Sequence, residues 1–125
     1  MKQGFVKVAS ATPRIRVADP VYNAQVICEQ AKEAAEHGAK IVVFPELCIT
    51  GYTCNDLFLQ ELLLEKAKEA LLTIAEETGQ LETLFLVGLP VDKDGRLYNV
   101  AAVLYRGRIL GMIPKKKYPY VCGVL

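Results

Sequence analysis

No apolar stretch approaches the roughly 18 residues that a membrane-spanning helix needs. The opening Met1-Lys2-Gln3-Gly4-Phe5 leads into a strand pattern rather than the apolar core of a secretion signal. Neither sign of charge dominates: 15 Lys and Arg against 14 Asp and Glu leave a net charge of +1. No broad basic field is therefore available for nucleic acid or for an acidic membrane surface. Cysteine is sparse, with only Cys28, Cys48, Cys54 and Cys122, and no C-x-x-C pair occurs. The single histidine, His37, stands near no carboxylate-rich spacing of the kind a zinc site uses. A disulfide scaffold and a structural metal are not expected, and reduced thiols fit the cytoplasm. Internal repeats, low-complexity tracts and an interdomain linker are also missing.

What remains is the composition of a folded domain. The chain has 125 residues, 52% hydrophobic and 23% charged, enough for one domain with its own core and too apolar for a disordered tail. A strand is predicted over Phe5–Ala11. Asp19 and Pro20 then mark a helix start, Ala24, Ile27, Cys28, Ala31, Ala34 and Ala35 recur at helical spacing, and Gly38 stops the helix. His37 falls in its last turn, where a ring able to carry positive charge is favoured. The unbroken run Lys40–Pro45 reads as a central strand buried on both faces. A second helix is expected over Asp56–Glu77 with Gly79 as its stop. Leu84–Leu89, closed by Pro90, is a further buried strand. Asp94-Gly95 marks a turn, Leu97–Tyr105 a strand, Arg106-Gly107-Arg108 a tight turn and Ile109–Ile113 its antiparallel partner. The order β-α-β-α-β plus a hairpin is that of an α/β layered fold.

Two positions could carry chemistry. Glu46 directly follows a buried strand, at the carboxyl end where open α/β sheets place their sites. Partial desolvation there would raise its proton affinity and suit it to act as a base, although a loop cap or a pair with a surface lysine fits the position equally. Lys115 follows a strand and a proline, and could steady a developing oxyanion. Within Lys115-Lys116-Lys117 it also reads as part of a solvated basic turn.

The segments FPELCITGYTCNDLF (Phe44–Phe58), VGLPV (Val87–Val91), DGRLYNVAAVLYRGRILGMIPK (Asp94–Lys115) and the opening GFVKVASATPRIRVADPVYN together resemble the nitrilase, or carbon–nitrogen hydrolase, superfamily. Within it they are most similar to the N-terminal glutaminase domain of bacterial glutamine-dependent NAD synthetases. ATPRIRVADPVYN and GYTCNDLF narrow the resemblance to that branch, which covers nearly everything from Gly4 to Lys115.

The resemblance implies the first half of a four-layer α-β-β-α sandwich and a Cys-Glu-Lys mechanism. Glu46 matches the family's general base and Lys115 its oxyanion-stabilising lysine, while Tyr52 matches a tyrosine lining the glutamine pocket. The implied substrate is glutamine. The ammonia released would pass to a synthetase domain outside this chain, which uses ATP and magnesium to amidate deamido-NAD; no cofactor is implied within the chain itself. A homo-oligomer is implied for the full-length enzyme. The family's nucleophilic cysteine belongs to a later strand end in a Cys-acidic-acidic context, which none of the four cysteines matches; Cys122 is followed by Gly123-Val124-Leu125. After about residue 116 the chain diverges, with Val121 where the family has a tyrosine. The expectation is thus the N-terminal part of a glutaminase domain over residues 1–125, inactive alone and either marginally stable or self-associating. Alternatives are another amidase or carbamoylase of the superfamily, and a non-catalytic half-domain that only pairs with another chain.

Overall fold

A computed structural model describes residues 4–51 and 61–115. Seven elements follow in chain order: β1 (Val8–Ser10), α1 (Pro20–Glu36), β2 (Ile41–Val43), α2 (Glu61–Glu77), β3 (Leu84–Lys93), β4 (Arg96–Tyr105) and β5 (Arg108–Pro114). The five strands form one sheet in the order β1-β2-β3-β4-β5. β1, β2 and β3 run parallel, and β4 and β5 follow antiparallel. The two helices are the crossovers of the parallel part, and they pack against each other on one face of the sheet.

Local chemistry accounts for the boundaries. Asp19 caps α1 by accepting from the Tyr22 amide at 3.2 Å, with Pro20 in the first turn. At the other end Gly38 takes a left-handed φ of 88°, so that its amide reaches Ala35 and the Ala39 amide reaches Ala34. His37 Nδ1 lies 2.9 Å from the Glu33 carbonyl, so the ring serves this helix end. Both hairpins are two-residue turns, Asp94-Gly95 and Arg106-Gly107, with positive φ at all four residues, the geometry that matches strand twist.

The core lies between the helices and the sheet face toward them. Ile27 and Ala31 of α1 and Ala67, Leu71 and Ile74 of α2 cover Val42, Phe85, Val87, Ala102 and Leu104. Register puts Ala9, Val42, Phe85 and Leu104 in one row on this face. The neighbouring row, Ser10, Val43, Leu86, Val103 and Gly111, faces the opposite way.

That opposite face corrects one expectation. β2 is not buried on both faces: Val42 is fully buried but Val43 is 43% exposed, and Val8 and Ile113 are exposed as well. Among the described residues only one helix layer covers the sheet. β1 is also shorter than the expected Phe5–Ala11, because its one neighbour, β2, spans only Ile41–Val43. Its pairing is extended by single bonds from Lys40 to the Lys7 carbonyl and from Ala11 to the Val43 carbonyl. β3, conversely, does not close at Pro90 but continues to Lys93. Leu84, Leu86 and Gly88 direct their backbone groups toward the β2 side, so Pro90, of the same parity, lacks its N–H on that side and not on the β4 ladder. For α2, the expected residues 56–60 lie outside the described residues.

Candidate functional site

Beyond Val43 the Phe44 amide still donates to the Leu86 carbonyl at 2.9 Å, but Pro45 has no amide to continue the ladder. The chain turns there. Leu47 adopts a left-handed φ of 53° with its side chain fully buried, and its carbonyl accepts from Thr50 and Gly51. A left-handed leucine costs about 1–2 kcal/mol, which the burial of its side chain can offset. The turn packs closely over Gly88, and the Ile49 amide donates to the Gly88 carbonyl at 3.1 Å. Asn23, fully buried on α1, braces the turn from below. Its amide donates to the Ile49 and Arg16 carbonyls, and its carbonyl accepts from the Arg16 amide, each at 2.7 Å. Glu46 is thereby held at the tip of a rigid turn, over the sheet face opposite the helices.

Lys115 arrives from the far edge of the sheet. β5 pairs with β4 up to Val100 and Pro114, and the Lys115 amide then donates to the Asn99 carbonyl at 2.8 Å. Its ammonium reaches Glu46, Nζ standing 3.1 Å from Oε1 and 3.3 Å from Oε2, although the two residues are 69 positions apart. Asn99 Nδ2 donates to Glu46 Oε2 at 3.0 Å. The structure thus brings together the two residues singled out from the sequence, and adds a third.

The three differ in burial. Asn99 is 5% exposed, whereas the Glu46 and Lys115 side chains are 41% and 33% exposed. The expected desolvation of Glu46 is therefore not what the structure has. The carboxylate lies open on the uncovered sheet face, with an ammonium against it. A carboxylate able to accept a proton beside a cation able to steady an anion is the equipment for acyl transfer, once a nucleophile is supplied.

Neither described cysteine is arranged as that nucleophile. Cys28 is buried on α1, and Cys48, 1% exposed, directs its thiol to the Gly88 carbonyl at 3.7 Å. Burial pushes both thiols up to about 11, the direction opposite to activation. Tyr52, Cys54 and Cys122 lie outside the described residues, as does the divergent tail after residue 116. No group of three or more His, Cys, Asp or Glu that could hold a metal ion occurs among the described residues. No helix among them is long and apolar enough to cross a membrane.

Asn99 is the residue that sequence reasoning missed. Its signal was there: an amide set between Tyr98 and the apolar run Val100–Leu104 of a sheet strand demands a partner. Which partner depends on the β3–β4 register, not on local spacing.

The family model described as Carbon-nitrogen hydrolase matches residues 7–118. The glutamine-dependent NAD(+) synthetase of Mycobacterium tuberculosis is 38% identical over 94% of this chain, and that of Acinetobacter baylyi 33% identical over 95%. The chain spans only 17% and 21% of the length of these two relatives. Among solved structures, a glutamine-dependent NAD(+) synthetase from Cytophaga hutchinsonii superposes with a TM-score of 0.84 at 30% identity, over 91% of this chain and 19% of that one. An amidase from Nesterenkonia sp. shares the fold, with a TM-score of 0.78 at 22% identity, over 97% of this chain and 46% of the amidase.

Proposed function

The chain belongs to the carbon–nitrogen hydrolase family, and from that footing we propose that it forms the amino-terminal part of a domain that hydrolyses the side-chain amide of glutamine. The observation that carries this reading is the meeting of Glu46 and Lys115 at 3.1 Å, from two strand ends on the same sheet face. The similarity to glutamine-dependent NAD(+) synthetases supports glutamine as the amide and NAD synthesis as the use of the ammonia. On this reading residues 1–125 are one part of the domain, diverging after about residue 116. Tyr52 lines the glutamine pocket, and the nucleophilic thiol comes from outside the described residues. The ATP-dependent amidation of deamido-NAD belongs to a synthetase domain outside residues 1–125.

The chemistry follows from the charges. Glu46 takes the thiol proton, and the thiolate attacks the glutamine amide carbon. Lys115 stabilises the negative oxygen of the tetrahedral intermediate. Glu46 returns its proton to the departing nitrogen, releasing ammonia and leaving a thioester. It then removes a proton from water, which attacks the thioester; glutamate leaves and the thiol is restored. Atoms balance as glutamine plus water giving glutamate plus ammonia.

The test joins this segment to the remainder of such a domain and follows glutamine hydrolysis. Glu46→Gln and Lys115→Met should each lower turnover by about 100-fold or more with the fold intact. Near-full activity in either variant would overturn the assignment.

A further inference from the structure

We propose that Asn99 is a positioning residue for Glu46 and Lys115, an inference that rests on reading Glu46 as the base. Asn99 touches both partners in different ways. Its side-chain amide donates to Glu46 Oε2 at 3.0 Å, and its carbonyl accepts the Lys115 backbone amide at 2.8 Å. Ionised carboxylates only accept, so the Asn99 group facing Glu46 is the NH2 and not the carbonyl oxygen. The bond is therefore charge-assisted and favours the ionised carboxylate. Lys115 Nζ straddles both carboxylate oxygens, a contact that fixes distance more than the plane of the group. A second donor on Oε2, from a side chain that is 5% exposed and fixed on a central strand, sets the plane. Asn99 thus keeps Glu46 ionised and oriented, and locks the start of the Lys115 segment to the same strand.

The test is a titration of the isotopically labelled chain by NMR, which does not depend on turnover. In the unaltered chain the Asn99 side-chain amide protons should shift with the same midpoint as the Glu46 carboxyl carbon between about pH 3 and 8. Asn99→Leu, which removes the donor, should raise the Glu46 midpoint by about half a unit or more, and Asn99→Ser, which keeps one, should recover part of that shift. Lys115→Met should also raise the midpoint while the Asn99 amide goes on tracking it. A flat Asn99 amide in the unaltered chain overturns the proposal. So does an Asn99→Leu midpoint within about 0.2 unit of the original in a folded variant. Because the first arm needs no substitution, it decides the matter if Asn99→Leu fails to fold. Glutamine hydrolysis reads the functional proposal and the titration reads this one, so either can fail alone.

Discussion

Gly88 and Leu47 meet backbone to backbone: a Cβ built on Gly88 would stand 2.5 Å from the Leu47 amide nitrogen and 2.7 Å from the Pro45 carbonyl oxygen. Both obstacles are main chain, which cannot swing aside as a side chain would. Gly88→Ala should therefore lift the turn that carries Glu46 and cost about 2–3 kcal/mol. Gly111→Ala, where nothing lies within 4 Å, should be close to neutral. Urea unfolding midpoints at unchanged m-value check both. Amide exchange should quicken at Ile49, whose N–H is bound to the Gly88 carbonyl, in Gly88→Ala alone.

The Glu46–Lys115 pair should matter little to stability. Both side chains are more than a third or close to a third exposed, and exposed ion pairs contribute at most about 1 kcal/mol. Lys115→Met should move the unfolding free energy by less than that while reducing glutamine hydrolysis in the complete domain severely. Asn23→Ala should do the reverse, costing roughly 2–4 kcal/mol because it removes a buried bond to the Ile49 carbonyl and two part-buried bonds to the Arg16 backbone. Denaturation curves beside an ammonia-release assay separate the two.

This contrast bears on what could be read from residues alone. Asp19, Pro20 and Gly38 bound α1 as expected, since capping and left-handed glycine are local chemistry. Arg106-Gly107 likewise reveals the last hairpin, whereas Asp94-Gly95 marks a turn without telling that β3 and β4 pair across it. Glu46 and Lys115 stood out because each directly follows a strand. The extension of β3 past Pro90 was not legible, because a proline ends a strand only if its missing N–H faces a neighbour, and parity against β2 decides that. Nor was the exposure of Val43, since an apolar run does not say how many layers will cover it. Asn99 became meaningful only once strand register placed it under a carboxylate 53 positions away.

The cysteines yield a pH prediction. Cys28 and Cys48 titrate near 9.0 when unperturbed and near 11 in the fold, with burial as the leading cause in each. Between those values the folded chain keeps protons that the unfolded chain has lost. The stability from these thiols is thus complete below about pH 9 and falls as pH climbs toward 11, by about 2–3 kcal/mol per thiol at most. The Cys28→Ala, Cys48→Ala double variant should lose less stability than the unaltered chain over that interval. At neutral pH peptide mapping after brief iodoacetamide treatment should find both thiols unmodified in the folded chain. On longer exposure Cys28, which lines the open groove between α1 and α2, should react before Cys48.

Val42 and Val43 are sequence neighbours that point to opposite faces, and they should respond oppositely to substitution. Val42→Ala opens a cavity against Phe85 and its row and should cost about 2 kcal/mol, whereas Val43→Ala, at 43% exposure, should cost well under 1 kcal/mol. The face that Val43 shares with Val8 and Ile113 leaves apolar area open to water, and two such faces gain by meeting. The isolated chain should accordingly sediment with a concentration-dependent mass. Val43→Lys combined with Ile113→Lys should shift it toward the monomer with little change in unfolding midpoint, because both side chains are already exposed. A chain that sediments as a monomer at all concentrations, with or without the lysines, would mean that the apolar rows are too small or too interrupted by Ser10, Gly88 and Gly111 to hold a second surface.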